Sequence, residues 1–183
     1  MNKFFTKLKQ LLLYGGLEKE QYKLISYEIN RSNRKSIIIL SSACLAVYAL
    51  RLCLTYSAVP DINRIVFLNA ILLFGMLAVG NILVHDNSYF VHISVYLFMI
   101  FYLAVGIISA VAPASIHERT TLYLVFIVVA PMLYALNAVE LAAIIVPSEI
   151  VYLLLIAKFQ SDYPVYITNQ GNSLFFSITG LLL

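Results

Sequence analysis

Two residues of the 183-residue chain carry full charge deep inside stretches otherwise apolar enough for lipid, Arg51 and Glu149. An arginine within a membrane span costs about 2.5–3.5 kcal/mol on insertion scales and seldom faces acyl chains, so it requires company. Helical spacing places Ser41, Cys44, Tyr48, Arg51 and Thr55 on one stripe, which is expected to face a bundle interior. Glu149 follows Pro147-Ser148. A proline within a helix frees a carbonyl one turn earlier and kinks the axis, which leaves a following carboxylate in a wetter pocket. Counting the rise per residue from the cytoplasmic ends puts Glu149 near mid-bilayer and Arg51 about 8 Å further out, a gap that two long side chains would partly close. Such a pair would serve as the polar core of a ligand-gated or ion-sensing bundle. The competing reading is a structural ion pair, or an arginine that snorkels to the interface.

A second polar group is expected at the outer rim, where an external ligand would first be met. His117-Glu118-Arg119, Asp61 with Arg64, and Asp162 with Tyr163 and Tyr166 fall in the connections there, although loops are polar whether or not they bind anything. The expected ligand-binding set is therefore Arg51, Glu149 and Tyr48 in the core, with Glu118, Arg119 and Tyr163 on the rim. His85, Asp86 and His92 do not make a metal site, because no further ligand accompanies the two histidines. Cys44 and Cys53 lie nine residues apart in the same apolar segment, point to different faces, and cannot bridge each other. No Walker loop, Gly-x-Ser-x-Gly, His-Glu-x-x-His or dinucleotide fingerprint occurs, so no catalytic residue and no cofactor is expected.

The elements that must position these residues are helices in a bilayer. Hydrophobic residues make up 62% of the chain and charged residues 11%, against roughly 25% charge in a soluble domain. The first stretch, 1–14, sets Phe4, Phe5, Leu8, Leu11 and Leu12 against Lys3, Lys7 and Gln10, the pattern of an interfacial amphipathic helix that Gly15-Gly16 would end. It lacks the long apolar core and cleavage site of a signal peptide. A second, mostly polar helix is expected over 17–35, with Tyr22, Ile25 and Ile29 on its less polar side. Spans of about 20 residues follow at 36–57, 65–84, 89–111, 121–139 and 140–159, and a sixth apolar run from about Asn172 reaches only half a span by Leu183. The fold class is thus an all-α polytopic membrane bundle, five full transmembrane helices plus a truncated sixth, preceded by amphipathic cytoplasmic helices. Short connections make sequential helices antiparallel, the longest being 160–170. Pro131 should kink the fourth span midway. Asn69, Asn81 and Asn137 should cross-link helices, and the small residues Ser42, Ala46 and Ala49, and Gly106 with Ala110, should allow close approach.

Eight lysines and arginines precede the first span: Lys3, Lys7, Lys9, Lys19, Lys23, Arg31, Arg34 and Lys35. They place the N-terminus in the cytoplasm of a multi-pass cell-membrane protein. Anionic lipid is a sufficient partner for this basic charge, and nucleic acid is not needed to explain it.

The run Leu13-Tyr14-Gly15-Gly16-Leu17, followed by Tyr22, Ile25, Ile29, Asn30-Arg31 and Asn33-Arg34 and then the apolar spans, resembles the membrane regions that precede GGDEF-type diguanylate cyclases. The resemblance covers this short signature and the layout. The cyclase's own Gly-Gly-Asp/Glu-Glu-Phe signature is absent from the chain, so no catalytic residue carries over. What the resemblance implies is a sensory input module in a homodimer, in which an unknown small ligand or lipid-borne cue shifts the bundle and a cytoplasmic cyclase after the last span responds. An integral, substrate-binding subunit of a small-solute importer is the alternative, since such subunits are also compact bundles of about six helices. A purely structural or assembly role is a third.

Overall fold

The computed structural model describes residues 2–14, 16–55, 61–84, 88–111, 121–160 and 162–182. Among these the chain is all-helical, in seven α-helices: α1 (Asn2–Tyr14), α2 (Lys19–Thr55), α3 (Asp61–Leu83), α4 (Ser88–Val111), α5 (Thr121–Leu133), α6 (Ala138–Phe159) and α7 (Tyr163–Leu182). Three have a stretch long and apolar enough to cross a membrane: α2, whose apolar run ends at Leu54, α4 over Ser88–Ile108, and α6. The chain divides into two compact units, Tyr27–Phe98 and the combination of Met1–Ser26 with Met99–Leu183.

The helix boundaries follow local chemistry more closely than composition. Gly16 takes a φ of +87°, and its N–H reaches the Gln10 carbonyl at 3.0 Å, so α1 ends at the expected glycines. α2 opens where Gln21 Oε1 accepts from the Glu18 N–H at 3.2 Å. It then continues for 37 residues without a glycine or proline. The separate helix expected over 17–35 and the span expected from Ser36 are therefore one rod about 55 Å long, nearly twice a bilayer core. The polarity changes at Lys35, but nothing there interrupts the backbone hydrogen bonds.

The fourth expected span is also revised. α5 has 13 residues and stops two residues after Pro131, so the proline sits in the last turn of a short helix instead of kinking a long one. After it the chain makes a tight turn, Leu136 N–H to Tyr134 carbonyl at 3.1 Å. α6 starts on a capping box: Asn137 Oδ1 accepts from the Glu140 N–H at 2.9 Å, and Glu140 Oε2 accepts from the Asn137 N–H at 3.0 Å. Asn137 thus caps α6, and its side chain also hydrogen-bonds Tyr22 of α2, so it is a cap and an interhelical link at once. The 160–170 connection is mostly helix as well, because Asp162 caps α7 through Oδ1 to the Val165 N–H at 3.4 Å, and Pro164 occupies the first turn, where its missing donor costs nothing. α7 therefore begins at Tyr163, about nine residues before the expected sixth run, and reaches 20 residues.

In the Tyr27–Phe98 unit the core is built from Ile37, Ala70, Phe74, Leu77, Val91, Val95 and Phe98. Asn81 does cross-link helices here: its Nδ2 donates to the Leu77 carbonyl at 2.8 Å and to Ser94 Oγ on α4 at 2.9 Å. Asn69 instead donates to the Ile65 carbonyl of its own helix at 2.9 Å. Arg34 Nε donates to the Asn81 carbonyl at 2.7 Å and Nη2 to the Ile82 carbonyl at 3.3 Å, so a cation closes the negative end of α3. In the other unit α7 packs against both α5 and α6, and α1 packs against α6. A Cβ at Gly106 would come within 2.8 Å of the Phe126 ring, so the glycine permits the close α4–α5 approach read from the small residues.

Candidate functional site

α7 distributes its side chains in the reverse of a soluble helix. Its buried face is Asn169, Ser173, Ser177 and Gly180, whereas Phe175 is 65% exposed and Ile178 59% exposed. A helix that turns its large apolar side chains outward and its hydroxyls inward is matched to lipid outside and a polar seam inside.

The seam closes on Glu149. This carboxylate lies on α6, one turn from the buried Ile145, and is only 6% exposed. Three hydroxyls from two other helices donate to it: Ser173 to Oε1 at 2.7 Å, Ser177 to Oε2 at 2.6 Å, and Tyr123 of α5 to Oε2 at 3.3 Å. Residues 173 and 177 are four apart, which places both hydroxyls on one face of α7. Tyr123 is held by stacking on Tyr152, one turn along α6 from Glu149, with ring centroids 4.1 Å apart. Ser148 turns back to the Ile144 carbonyl at 2.9 Å beside Pro147. At one end of the seam Asn169 donates to Gln160 Oε1 at 2.9 Å. At the other, Gly180 lies against the Ile127 carbonyl, the one that Pro131 leaves without its helical donor, and a Cβ there would stand 3.1 Å from that oxygen.

The remaining expected site residues fall elsewhere. Arg51 and Tyr48 belong to the Tyr27–Phe98 unit and Glu149 to the other, and each is described within its own unit. The Arg51 guanidinium is exposed and stands over the Phe67 ring at 5.3 Å. Tyr48 is half-buried and stacks on Phe74 at 5.7 Å. Tyr163 is 72% exposed at the start of α7, with the Tyr166 ring 6.4 Å away. Glu118 and Arg119 lie outside the described residues, as do His117, His85 and Asp86, and the side chains of Asp61 and Arg64. His92 meets the edge of Tyr96.

Sequence reasoning located Glu149 but missed Tyr123, Tyr152, Asn169, Ser173 and Ser177. The signal for the last three was the four-residue repeat Asn169, Ser173, Ser177, hidden because its first member lay in a presumed loop. No protein-family model matches the chain, and no curated protein or solved structure matches it either.

Proposed function

We propose that the chain is a membrane-embedded signal-input module in which a cue rearranges the Glu149 seam and a cytoplasmic effector reads the rearrangement. The observation that carries this reading is the buried carboxylate of α6, held among the described residues by hydroxyls contributed by α5 and α7. An intramembrane acid is costly and marks function by default, and hydroxyls form a reversible joint because each can donate or accept. Exchange of those bonds would alter how α7 sits against α5 and α6. A diguanylate cyclase is the effector class that the N-terminal signature implies, with a homodimer as its working form. In this reading the basic N-terminal end faces the cytoplasm, where α1 lies on anionic lipid with Phe5 and Leu11 outward. The apolar part of α2, then α3, α4, the short α5 with the turn that follows it, and α6 cross the bilayer in alternation, so that the start of α6 returns to the cytoplasmic side near Tyr22 of α2, and α7 packs against α5 and α6.

The test is cyclic di-GMP formation by membranes that carry the native reading frame, with Glu149→Gln and the Ser173→Ala/Ser177→Ala pair set beside the parent at equal membrane abundance. A change in nucleotide output of severalfold is expected from both. Unaltered output from variants that reach the membrane intact overturns the input reading. Solute accumulation that depends on Glu149, with cyclase output unchanged, selects the importer-subunit alternative.

A further inference from the structure

The atoms that meet in the seam are all oxygens: two from the Glu149 carboxylate and one each from Ser173, Ser177 and Tyr123. An all-oxygen set without nitrogen or sulfur selects hard cations over zinc or copper. The charge count narrows the class further. Among the described residues no three His, Cys, Asp or Glu side chains gather in a metal-holding group, and the groups that hydrogen-bond Glu149 are neutral hydroxyls, so the seam brings together one carboxylate. Calcium sites draw on six to eight oxygens and commonly several carboxylates, whereas one carboxylate is neutralised by one positive charge. Hydroxyl donors satisfy the lone pairs of Glu149, but they supply only partial charge to a carboxylate that is 6% exposed.

The seam also has a means of turning from donor to acceptor. Ser173 Oγ lies 2.7 Å from Glu149 Oε1 and 3.1 Å from the Gln170 carbonyl of its own helix. With its proton swung onto Gln170, the oxygen presents lone pairs toward the carboxylate while its own hydrogen bond is kept. We infer that the α5–α6–α7 seam is a binding site for a small monovalent cation, held by Glu149 together with the hydroxyl oxygens of Ser173, Ser177 and Tyr123. This rests on the reading of the seam as the input site and names its ligand class. Cation entry replaces three hydroxyl-to-carboxylate bonds by cation contacts, so occupancy and the packing of α7 are coupled.

The experiment uses the full chain in lipid nanodiscs at fixed pH and ionic strength, with sodium, lithium or potassium chloride exchanged against N-methylglucamine chloride and the thermal unfolding midpoint read by circular dichroism. A saturable rise of the midpoint with sodium or lithium, absent with N-methylglucamine, is expected. Ser173→Ala should raise the half-saturating concentration at least tenfold, and Glu149→Gln should abolish the response. An equal response to N-methylglucamine, a response to pH with none to the metal ions, or a sodium response retained in Glu149→Gln overturns the site. Where Glu149→Gln does not fold, the parent's cation discrimination and the Ser173→Ala shift decide. A cation response without any effect of sodium on cyclase output leaves this site standing and removes the input reading. Cyclase output that depends on Glu149 without a cation response does the reverse.

Discussion

Each unit of the molecule buries a polar cluster between helices, and the two are built differently. In the Tyr27–Phe98 unit the group is a neutral amide: Asn81 uses its Nδ2 twice, and among the described residues its Oδ1, like the Ser41 hydroxyl, is buried without a hydrogen-bond partner. In the other unit the group is a carboxylate with both oxygens engaged by three donors. An unpaired buried amide oxygen costs about 1–3 kcal/mol, and an unpaired buried charge costs more. The first cluster therefore serves to register α3 against α4. The second holds α5, α6 and α7 by bonds that are individually strong and exchangeable.

Removing the donors should separate the two clusters most. Ser173→Ala with Ser177→Ala leaves a buried carboxylate with Tyr123 alone, and a loss of about 3 kcal/mol is expected, since bonds to charged groups contribute about 1.5–3 kcal/mol each. Unfolding in mixed micelles with increasing denaturing detergent measures it. Adding Glu149→Leu to the same background should recover much of the loss, because no unpaired charge then remains. If the triple variant is as weak as the double, the serines act by shape and the contrast with Asn81 fails.

Next in size is a contrast within α7 itself. Gly180→Ala would press a Cβ against the Ile127 carbonyl, a backbone atom that cannot rotate away, and should cost about 1–3 kcal/mol. Gly171, on the exposed face of the same helix, has open space where its Cβ would stand. Gly171→Ala should therefore gain about 0.4–1 kcal/mol from reduced freedom of the unfolded chain. Opposite signs in the same unfolding assay confirm that one face of α7 is packed to contact. Equal small gains would mean that α7 stands further from α5.

Asn81→Leu provides the smaller comparison from the first unit. It removes two donated bonds together with the unpartnered oxygen, and the average interhelical hydrogen bond in a membrane contributes only about 0.6 kcal/mol. The expected change is within about 1 kcal/mol. A loss matching that of the double serine variant would show that Asn81 is as tightly bound into its cluster as Glu149.

What could be read without coordinates divides along the same line. Glu149 declared itself, because a charge in an apolar helix is expensive wherever it lies. Ser173, Ser177 and Tyr123 did not, because a hydroxyl costs little on any helix and an aromatic ring is ordinary in an apolar run. The class, all-helical with several stretches apolar enough for lipid, followed from composition. The breaks were harder: the change at Lys35 is one of polarity only, while Asp162 with Pro164 is a helix start that its polar neighbours disguised. Between the spans expected over 121–139 and 140–159, the reciprocal capping bonds of Asn137 and Glu140 show why the corner is tight.

The smallest effect is expected outside both clusters, where water screens the charges. Tyr22, on the polar part of α2, has its phenol pushed up from the ordinary value of 10.0, first by burial, then by the negative charge of Glu140, with hydrogen bonding to the Asn137 side chain pulling the other way. The sign of the linkage follows. Below about pH 10 the phenol is neutral in both folded and unfolded chains and its contribution is complete. Above that, the unfolded chain ionises first, so stability falls as pH rises from the ordinary phenol range through the raised folded value. Ultraviolet difference absorbance between the parent and Tyr22→Phe isolates this titration, which should lie above that of a free tyrosine. Glu140→Gln should bring it part of the way back, because glutamine still accepts the capping bond from Asn137 but carries no charge. A midpoint unmoved by Glu140→Gln would assign the whole shift to burial, and the α6 cap would then exert no electrostatic pull on α2.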